Sequence, residues 1–299
     1  MDKTTAYINS SGSFLPGDPI TNDEIETFLG MVHGKPSRLR KKILKSNGIT
    51  SRHYALDRNQ KSTYQNSDLA NLAARDCIKN SEIDLSSLDM LAVASTQGDL
   101  PLPGIASTVQ AKLNTGPLEI LTTHGVCAPG IMALKGAVNQ VRLGEKENAL
   151  VVASELASRL LKKSRYEAVY DTNPDFEAEF LRWMLSDGAG ACLIGNKPRW
   201  NGLSLRVDWI ELKSYASDYD LCMSCGTADQ KLWSLDAVSD DTTRDDEVDG
   251  ATSFIENERQ TFSTASATAT LAKTGQKTTP TATQITARKK ATQITSGKA

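Results

Sequence analysis

Thr122-Thr-His-Gly-Val-Cys-Ala-Pro-Gly130 joins a strand pattern to a helix pattern through one tight turn. Leu118 to Thr122 reads as a strand. Gly125 permits a sharp change of direction, and Cys127 stands where a helix begins. Pro129 suits the first turn of that helix, where its missing N–H costs nothing. The helical pattern runs from Ala128 to Leu143, and Gly144 is placed to end it. A thiol at such a junction meets unpaired backbone N–H groups and the positive end of the helix dipole. Both favour thiolate, so Cys127 is expected to be a nucleophile able to carry an acyl group as a thioester. The plainer reading is a small buried hydrophobe.

Strands and helices alternate outward from this junction. Ala6 to Asn9 is a short strand. Thr21 or Asn22 caps a helix from Asp23 to about Val32, and Asp68 to Lys79 is a second helix. Leu88 to Ser95 is a buried strand and Ile105 to Leu113 a helix. Asn148 to Ser154, Ala189 to Ile194 and Leu203 to Tyr215 are further strands. The alternation predicts an α/β layered fold.

The chain has 299 residues, 39% hydrophobic and 23% charged, which allows a sizeable core. Its 34 basic and 36 acidic side chains nearly cancel, so no basic nucleic-acid footprint is expected. The longest apolar run, Ala149-Leu-Val-Val-Ala153, is strand-sized and too short for a membrane span. The start, Met1-Asp-Lys-Thr-Thr, shows no apolar signal core. Five cysteines in no framework spacing (77, 127, 192, 222 and 225) predict mostly reduced thiols in a cytoplasmic protein.

The composition changes after about Ala237. Ser239 to Asp249 is an acidic, polar run, and no aromatic residue follows Phe262. Ala282-Thr-Gln-Ile-Thr286 recurs as Ala291-Thr-Gln-Ile-Thr295. Such a segment has too little apolar surface to offset the entropy of ordering, so 239–299 is expected to be a disordered tail. It reads either as a natural low-complexity tail or as the product of a reading-frame change.

Several weaker signals take plain readings. His124 is a turn histidine rather than a base. Cys222-Met-Ser-Cys225 lacks the second ligand pair of a zinc site. Asp240, Asp241, Asp245, Asp246 and Asp249 lack the spacing of a calcium loop and form a solvated run. Asp187-Gly-Ala-Gly190 is too short a glycine pattern to specify a phosphate site. No metal or cofactor is expected.

Segments in order along the chain resemble the beta-ketoacyl-acyl-carrier-protein synthase III family of thiolase-fold condensing enzymes. They are Gly12-Ser-Phe-Leu-Pro16 with Thr21-Asn22, Gly48-Ile-Thr-Ser-Arg52, Leu88 to Ser95 with Pro103 and Ala106-Ser-Thr-Val-Gln110, Gly125 to Gly130, Ala149 to Glu155, and Ser186-Asp-Gly-Ala-Gly-Ala191. The last is similar to the family's GDGAGA motif, with Ser186 replacing its first glycine. The resemblance covers residues 5 to about 195 and weakens towards 235. It implies a thiolase-like layered fold with its first βαβαβαββ repeat intact in 1–200, the start of a second repeat in 201–238, and the tail beyond.

The resemblance also implies that Cys127 is the catalytic residue, acylated by acyl-CoA or an acyl carrier protein before a decarboxylative condensation. Fatty-acid or polyketide-like biosynthesis and a homodimer or heterodimer with another ketosynthase chain follow from it, with the Asn148–Ser154 strand at the interface. Leu102 and Pro103 fall in the loop that lines the acyl pocket or the dimer contact, and Leu102 replaces an aromatic. Asp187, Gly188 and Gly190 form a structural motif that allows close backbone packing. Lys42 and Ser46 stand near the positions of a Trp and an Arg that help hold coenzyme A. The segment Leu160 to Trp183 is longer and more charged than usual. The family's second repeat supplies a catalytic His and an Asn, yet His33, His53 and His124 are the only histidines and none follows Cys127. The second repeat is therefore expected to be truncated and condensation impaired; the competing reading is a non-catalytic partner subunit.

Overall fold

A computed structural model describes residues 5–169, 174 and 176–218. The tail 239–299, its acidic run, and Cys222 and Cys225 lie outside the described residues. A six-stranded sheet has the spatial order β5-β4-β6-β7-β1-β8. The strands are β1 (Tyr7–Phe14), β4 (Met90–Ser95), β5 (Glu119–His124), β6 (Asn148–Glu155), β7 (Gly188–Gly195) and β8 (Leu205–Arg206). β4 pairs in parallel with β5 and β6, whereas β7 runs antiparallel to both β6 and β1. A two-stranded ladder, β2 (Ile20–Thr21) with β3 (Ser51–Arg52), stands apart.

Helices cover both faces of the sheet, which explains why β4 and β6 read as unbroken apolar runs instead of alternating patterns. On one side α3 (Asn66–Lys79) and α4 (Ile105–Leu113) pack over Leu91, Val93, Leu150 and Val152. On the other, α5 (Pro129–Leu143) packs over Met90, Ala92, Ala94, Ala149 and Val151. The α5 layer meets the sheet largely through alanine, with Ala133 and Ala137 facing Ala92 and Ala94, so the helix approaches closely. Each fully buried Leu, Val or Met in these layers contributes roughly 1.5–3 kcal/mol.

The helix starting at Asp23 is shorter than its pattern predicts. α1 spans Ile25–Leu29, because Gly30 at φ +78 ends it before a 3₁₀ turn at Val32–Gly34. Thr21 is not the cap. Its N–H and hydroxyl instead donate to the Glu24 carboxylate, at 3.1 and 2.7 Å. The expected strand from Leu203 to Tyr215 is confined to β8. Its partner strand β1 begins at Tyr7, which pairs with Arg206, so the ladder ends there. Beyond β8, Arg142 draws off the carbonyls of Val207 and Asp208.

The described residues of the charged segment 160–183 help to build a third core. α6 (Ser158–Leu161), α7 (Lys163–Val169) and α8 (Phe176–Met184) join α1 and α2 (Arg40–Asn47). Leu161, Tyr166, Ala178 and Trp183 pack there with Ile25, Leu29 and Ile43. The buried Arg182 guanidinium binds three carbonyls at once: Leu161 through Nε at 3.0 Å, and Leu29 and Gly30 through Nη2. A buried guanidinium must have its donors satisfied, and these carbonyls supply partners for Nε and Nη2 of Arg182.

β1 crosses α3 at Gly12 without room for a side chain. A Cβ there would lie 2.1 Å from the Cys77 nitrogen and 2.6 Å from the Ala73 carbonyl oxygen, both backbone atoms that cannot swing aside. Gly12→Ala is expected to cost about 2–3 kcal/mol of stability, read as a lower urea midpoint at unchanged slope. A midpoint equal to wild type would show that strand and helix can separate freely.

Candidate functional site

Parallel pairing brings three strand ends to one edge of the sheet. Ser95 of β4 lies opposite His124 of β5, and Ala94 lies opposite Ala153 of β6. In open α/β sheets the carboxyl ends of the strands are where ligands bind. Here the segments that leave that edge carry Cys127, the 96–104 loop and Glu155.

The turn after β5 has the expected form. Gly125 adopts φ +144, and Cys127 is held at φ +60, a left-handed conformation costly for a side chain other than Gly, Asn or Asp. Ala128 forms the cap, its N–H donating back to Val126 at 2.7 Å, and Pro129 opens α5. The Thr123 hydroxyl donates to the Pro129 carbonyl at 2.9 Å and staples the strand to the first turn of the helix. Cys127 is therefore exposed at a strand-to-helix corner, just ahead of the N–H groups of α5. Its exposure sets aside the reading of a buried hydrophobe.

The other described cysteines are in different settings. Cys77 is buried on α3, its sulfur 3.1 Å from the Ser10 hydroxyl, and burial pushes its thiol up. Burial pushes the Cys192 thiol up to about 12.

His124 is exposed at the end of β5. His53 directs Nδ1 towards the carbonyls of Pro16 and Gly17, at 3.2 and 3.1 Å. His33 occupies the 3₁₀ turn at φ +49. Lys42 and Ser46 lie on α2. Lys42 Nζ sits 5.1 Å from the centre of the Phe176 ring, and the Ser46 hydroxyl donates to the Ile43 carbonyl at 2.8 Å. Leu102 and Pro103 lie at the tip of the exposed loop between β4 and α4.

Asp187 is a fully buried knot. Its carboxylate accepts from the Ser158 N–H at 2.7 Å, the Ser158 hydroxyl at 2.5 Å and the Ala55 N–H at 2.7 Å. Its own N–H donates to the His53 carbonyl at 2.8 Å. One side chain thus ties the start of β7 to α6 and to the loop after β3. Sequence reasoning named Asp187 but not Ser158 or Ala55, which carry no motif of their own. Gly188 is crowded, since a Cβ would meet Leu15 Cδ2 at 2.9 Å. At Gly190 nothing lies within 4 Å among the described residues. The Leu15 side chain is half exposed and can swing aside, so close backbone packing is observed at neither glycine.

Asn148–Ser154 is paired on both sides, by β4 and β7, and has no open edge. The sheet edges lie at β5 and β8.

Burial raises the Asp187 carboxyl, and its three donors lower it by less. The folded state therefore holds this proton more tightly than the unfolded chain. The contribution is full below the ordinary carboxylate range and is lost as pH rises through the folded value. Asp187→Asn, which cannot titrate and presents an NH₂ group to a backbone donor, is expected to cost about 1–3 kcal/mol. Denaturant melts across pH should show the wild-type advantage greatest in acid and shrinking towards neutral pH. An advantage that grows with pH would mean that the donors outweigh burial.

No family model matches the sequence. The chain is 29% identical over 185 residues to the beta-ketoacyl-[acyl-carrier-protein] synthase III of Ehrlichia canis, covering 62% of this chain and 50% of that protein. It is 31% identical over 188 residues to the enzyme of the same name from Hyphomonas neptunium, covering 62% and 54%. The chain spans about half the length of these curated relatives. The crystal structure of 3-oxoacyl-(acyl carrier protein) synthase III from Pseudomonas aeruginosa superposes with a TM-score of 0.56 at 21% identity, over 75% of this chain and 61% of that one. Across 62% of its length the chain is homologous to beta-ketoacyl-[acyl-carrier-protein] synthase III, and it has the thiolase-like fold of the condensing enzymes.

Proposed function

We propose that the chain is an acyltransferase of the 3-oxoacyl-acyl-carrier-protein synthase III type, with Cys127 as its catalytic residue. The observation that carries this reading is the exposed cysteine at φ +60 on the turn between β5 and α5. The Cys127 sulfur attacks the carbonyl of an acyl thioester, carried by coenzyme A or by an acyl carrier protein. The carrier thiol leaves with the proton, and the acyl group stays on sulfur. In the complete reaction a malonyl thioester then loses carbon dioxide. The resulting enolate forms a carbon–carbon bond to the acyl carbonyl, and the Cys127 thiolate departs. Such a step serves fatty-acid or polyketide-like biosynthesis.

The chain acting alone is proposed to stop after acylation. The enolate needs donors set in place beforehand, and losing one such donor typically costs about 10²–10³ in rate. In the family that it resembles these donors are a His and an Asn beyond the cysteine, and no histidine follows Cys127 in this sequence. The same observation supports the second reading, a non-catalytic partner of another ketosynthase chain. Under either reading the protein is a cytoplasmic homodimer or heterodimer. Residues 1–200 form the first repeat and 201–238 begin the second.

Incubation with an acyl thioester should give a slow mass increase of one acyl group, mapped to Cys127 and absent in Cys127→Ala. With a malonyl thioester added, no elongated product should exceed that of the variant. Iodoacetamide at neutral pH should label Cys127 ahead of Cys77 and Cys192. Failure of Cys127 to take up any acyl group favours the non-catalytic partner. Malonyl-dependent turnover at ordinary rates overturns the impairment.

A further inference from the structure

Six of the eleven residues from Lys35 to Lys45 are basic and none is acidic. Within α2 the residues divide by face. Arg40 lies over the Trp183 ring, Ile43 and Leu44 pack into the third core, and Asn47 donates to the Trp183 carbonyl at 3.4 Å. Lys41, Lys42 and Lys45 are exposed on the opposite stripe. Lys35 and Arg38, just ahead of the helix, are exposed as well. Like charges at this spacing repel one another. The carboxylates that the described residues bring to this region are already engaged. Asp23 pairs with Arg40, Glu26 accepts the Ser37 N–H at 2.8 Å, and Glu179 accepts from the Ser37 hydroxyl and from Trp183 Nε1. None of the five exposed cations forms an ion pair with a described residue.

A matching set of anions stands in the same sequence. Asp240, Asp241, Asp245, Asp246, Glu247 and Asp249 place six carboxylates against the single Arg244, the densest acidic run of the chain. The described residues end at Asp218, so 21 residues, 219 to 239, separate them from the run. A chain of that length spans at most about 70 Å when extended. A domain of ~200 residues has a radius of gyration of roughly 16 Å, so every exposed face lies within reach of the run. The tether also raises the local concentration of one charge cluster at the other to about the millimolar range, which lets contacts that are individually weak hold together.

We propose that the acidic run 240–249 docks on the basic face formed by Lys35, Arg38, Lys41, Lys42 and Lys45 of the same chain. Charge complementarity and the length of the tether carry this assignment, which stands whether or not Cys127 carries an acyl group. The contact relieves the repulsion along the outer stripe of α2 and closes that face to other polyanions. The run is thus an internal competitor: an external polyanion gains the face only by displacing it. Both partners are exposed charges, so the contact weakens as salt shortens the range of their attraction, to about 3 Å at 1 M. The run of a second copy and a separate polyanion are the rival occupants of the face, and each has its own signature.

An equimolar mixture of the full chain in ordinary and heavy-isotope form would be treated with a carbodiimide, which couples a carboxyl directly to a lysine amine in contact with it. Peptide mapping should find links from Lys35, Lys41, Lys42 or Lys45 to 240–249, both halves carrying the same isotope. They should be abundant at about 20 mM salt and lost near about 1 M. Links of mixed isotope put a second copy's run on the face and overturn the contact within one chain. No links, or links shared equally with exposed lysines elsewhere such as Lys79 and Lys197, overturn the docking. Competition is read with a fluorescent heparin oligosaccharide as the polyanion. Asp240→Asn, Asp241→Asn, Asp245→Asn, Asp246→Asn, Glu247→Gln and Asp249→Asn, made together, should tighten its binding about 10-fold. Adding Arg38→Gln, Lys41→Gln and Lys45→Gln should abolish that gain. A gain that survives the second set reports net charge alone, and it overturns the competition, as does no gain. Should a variant not fold, the links in the unsubstituted chain still decide the docking.

Discussion

The parallel ladder of β5, β4 and β6 is the constraint on which the rest of the molecule depends. Parallel pairing fixes the direction of each strand as well as its neighbour, so three segments distant in sequence must end at one edge. The segments that carry Cys127, the 96–104 loop and Glu155 leave the sheet there for that reason. Antiparallel β7 and β1 then extend the sheet away from the site and give β6 a partner on each side.

Burial on both faces keeps that ladder in register. Leu91, Val93, Leu150 and Val152 face α3 and α4, while the alanine-rich opposite face lets α5 lie close. A slip of one residue would exchange these two sets and drive leucine into the space sized for alanine. Helix α5 is thus held with its first turn starting two residues after Cys127, and the Thr123–Pro129 hydrogen bond locks that turn to β5.

Polar knots hold the pieces that the sheet does not reach. Asp187 joins β7, α6 and the loop after β3 through one carboxylate, and Arg182 gathers three carbonyls beneath the third core. Both are buried charges whose partners are largely backbone groups. Such contacts are specific and costly to break, because a lost partner leaves a desolvated group unsatisfied. Asp99 follows the same pattern at the N-terminus of α3, where its carboxylate takes the N–H groups of Asn66 and Ser67.

The sequence by itself determined the α/β alternation, the bounds of α4 and, nearly, of α5, and the corner that carries Cys127. These features are local: apolar periodicity, a glycine that permits a turn, a proline in the first turn of a helix and a glycine beyond its last. It also placed Asp187 in a motif, without its partners. Tertiary structure alone decided that β6 is central and β5 marginal, because strand order is set by packing between segments far apart in the chain. It cut the strand expected over Leu203–Tyr215 down to Leu205–Arg206, since a strand continues only as far as its neighbour's ladder allows. It gathered Asp99 to α3, Ser158 and Ala55 to Asp187, and Glu155 to Thr96, at sequence separations of 29 to 132 residues. No periodicity or short motif records such pairings, because each depends on two backbones being brought within hydrogen-bonding distance by the fold itself.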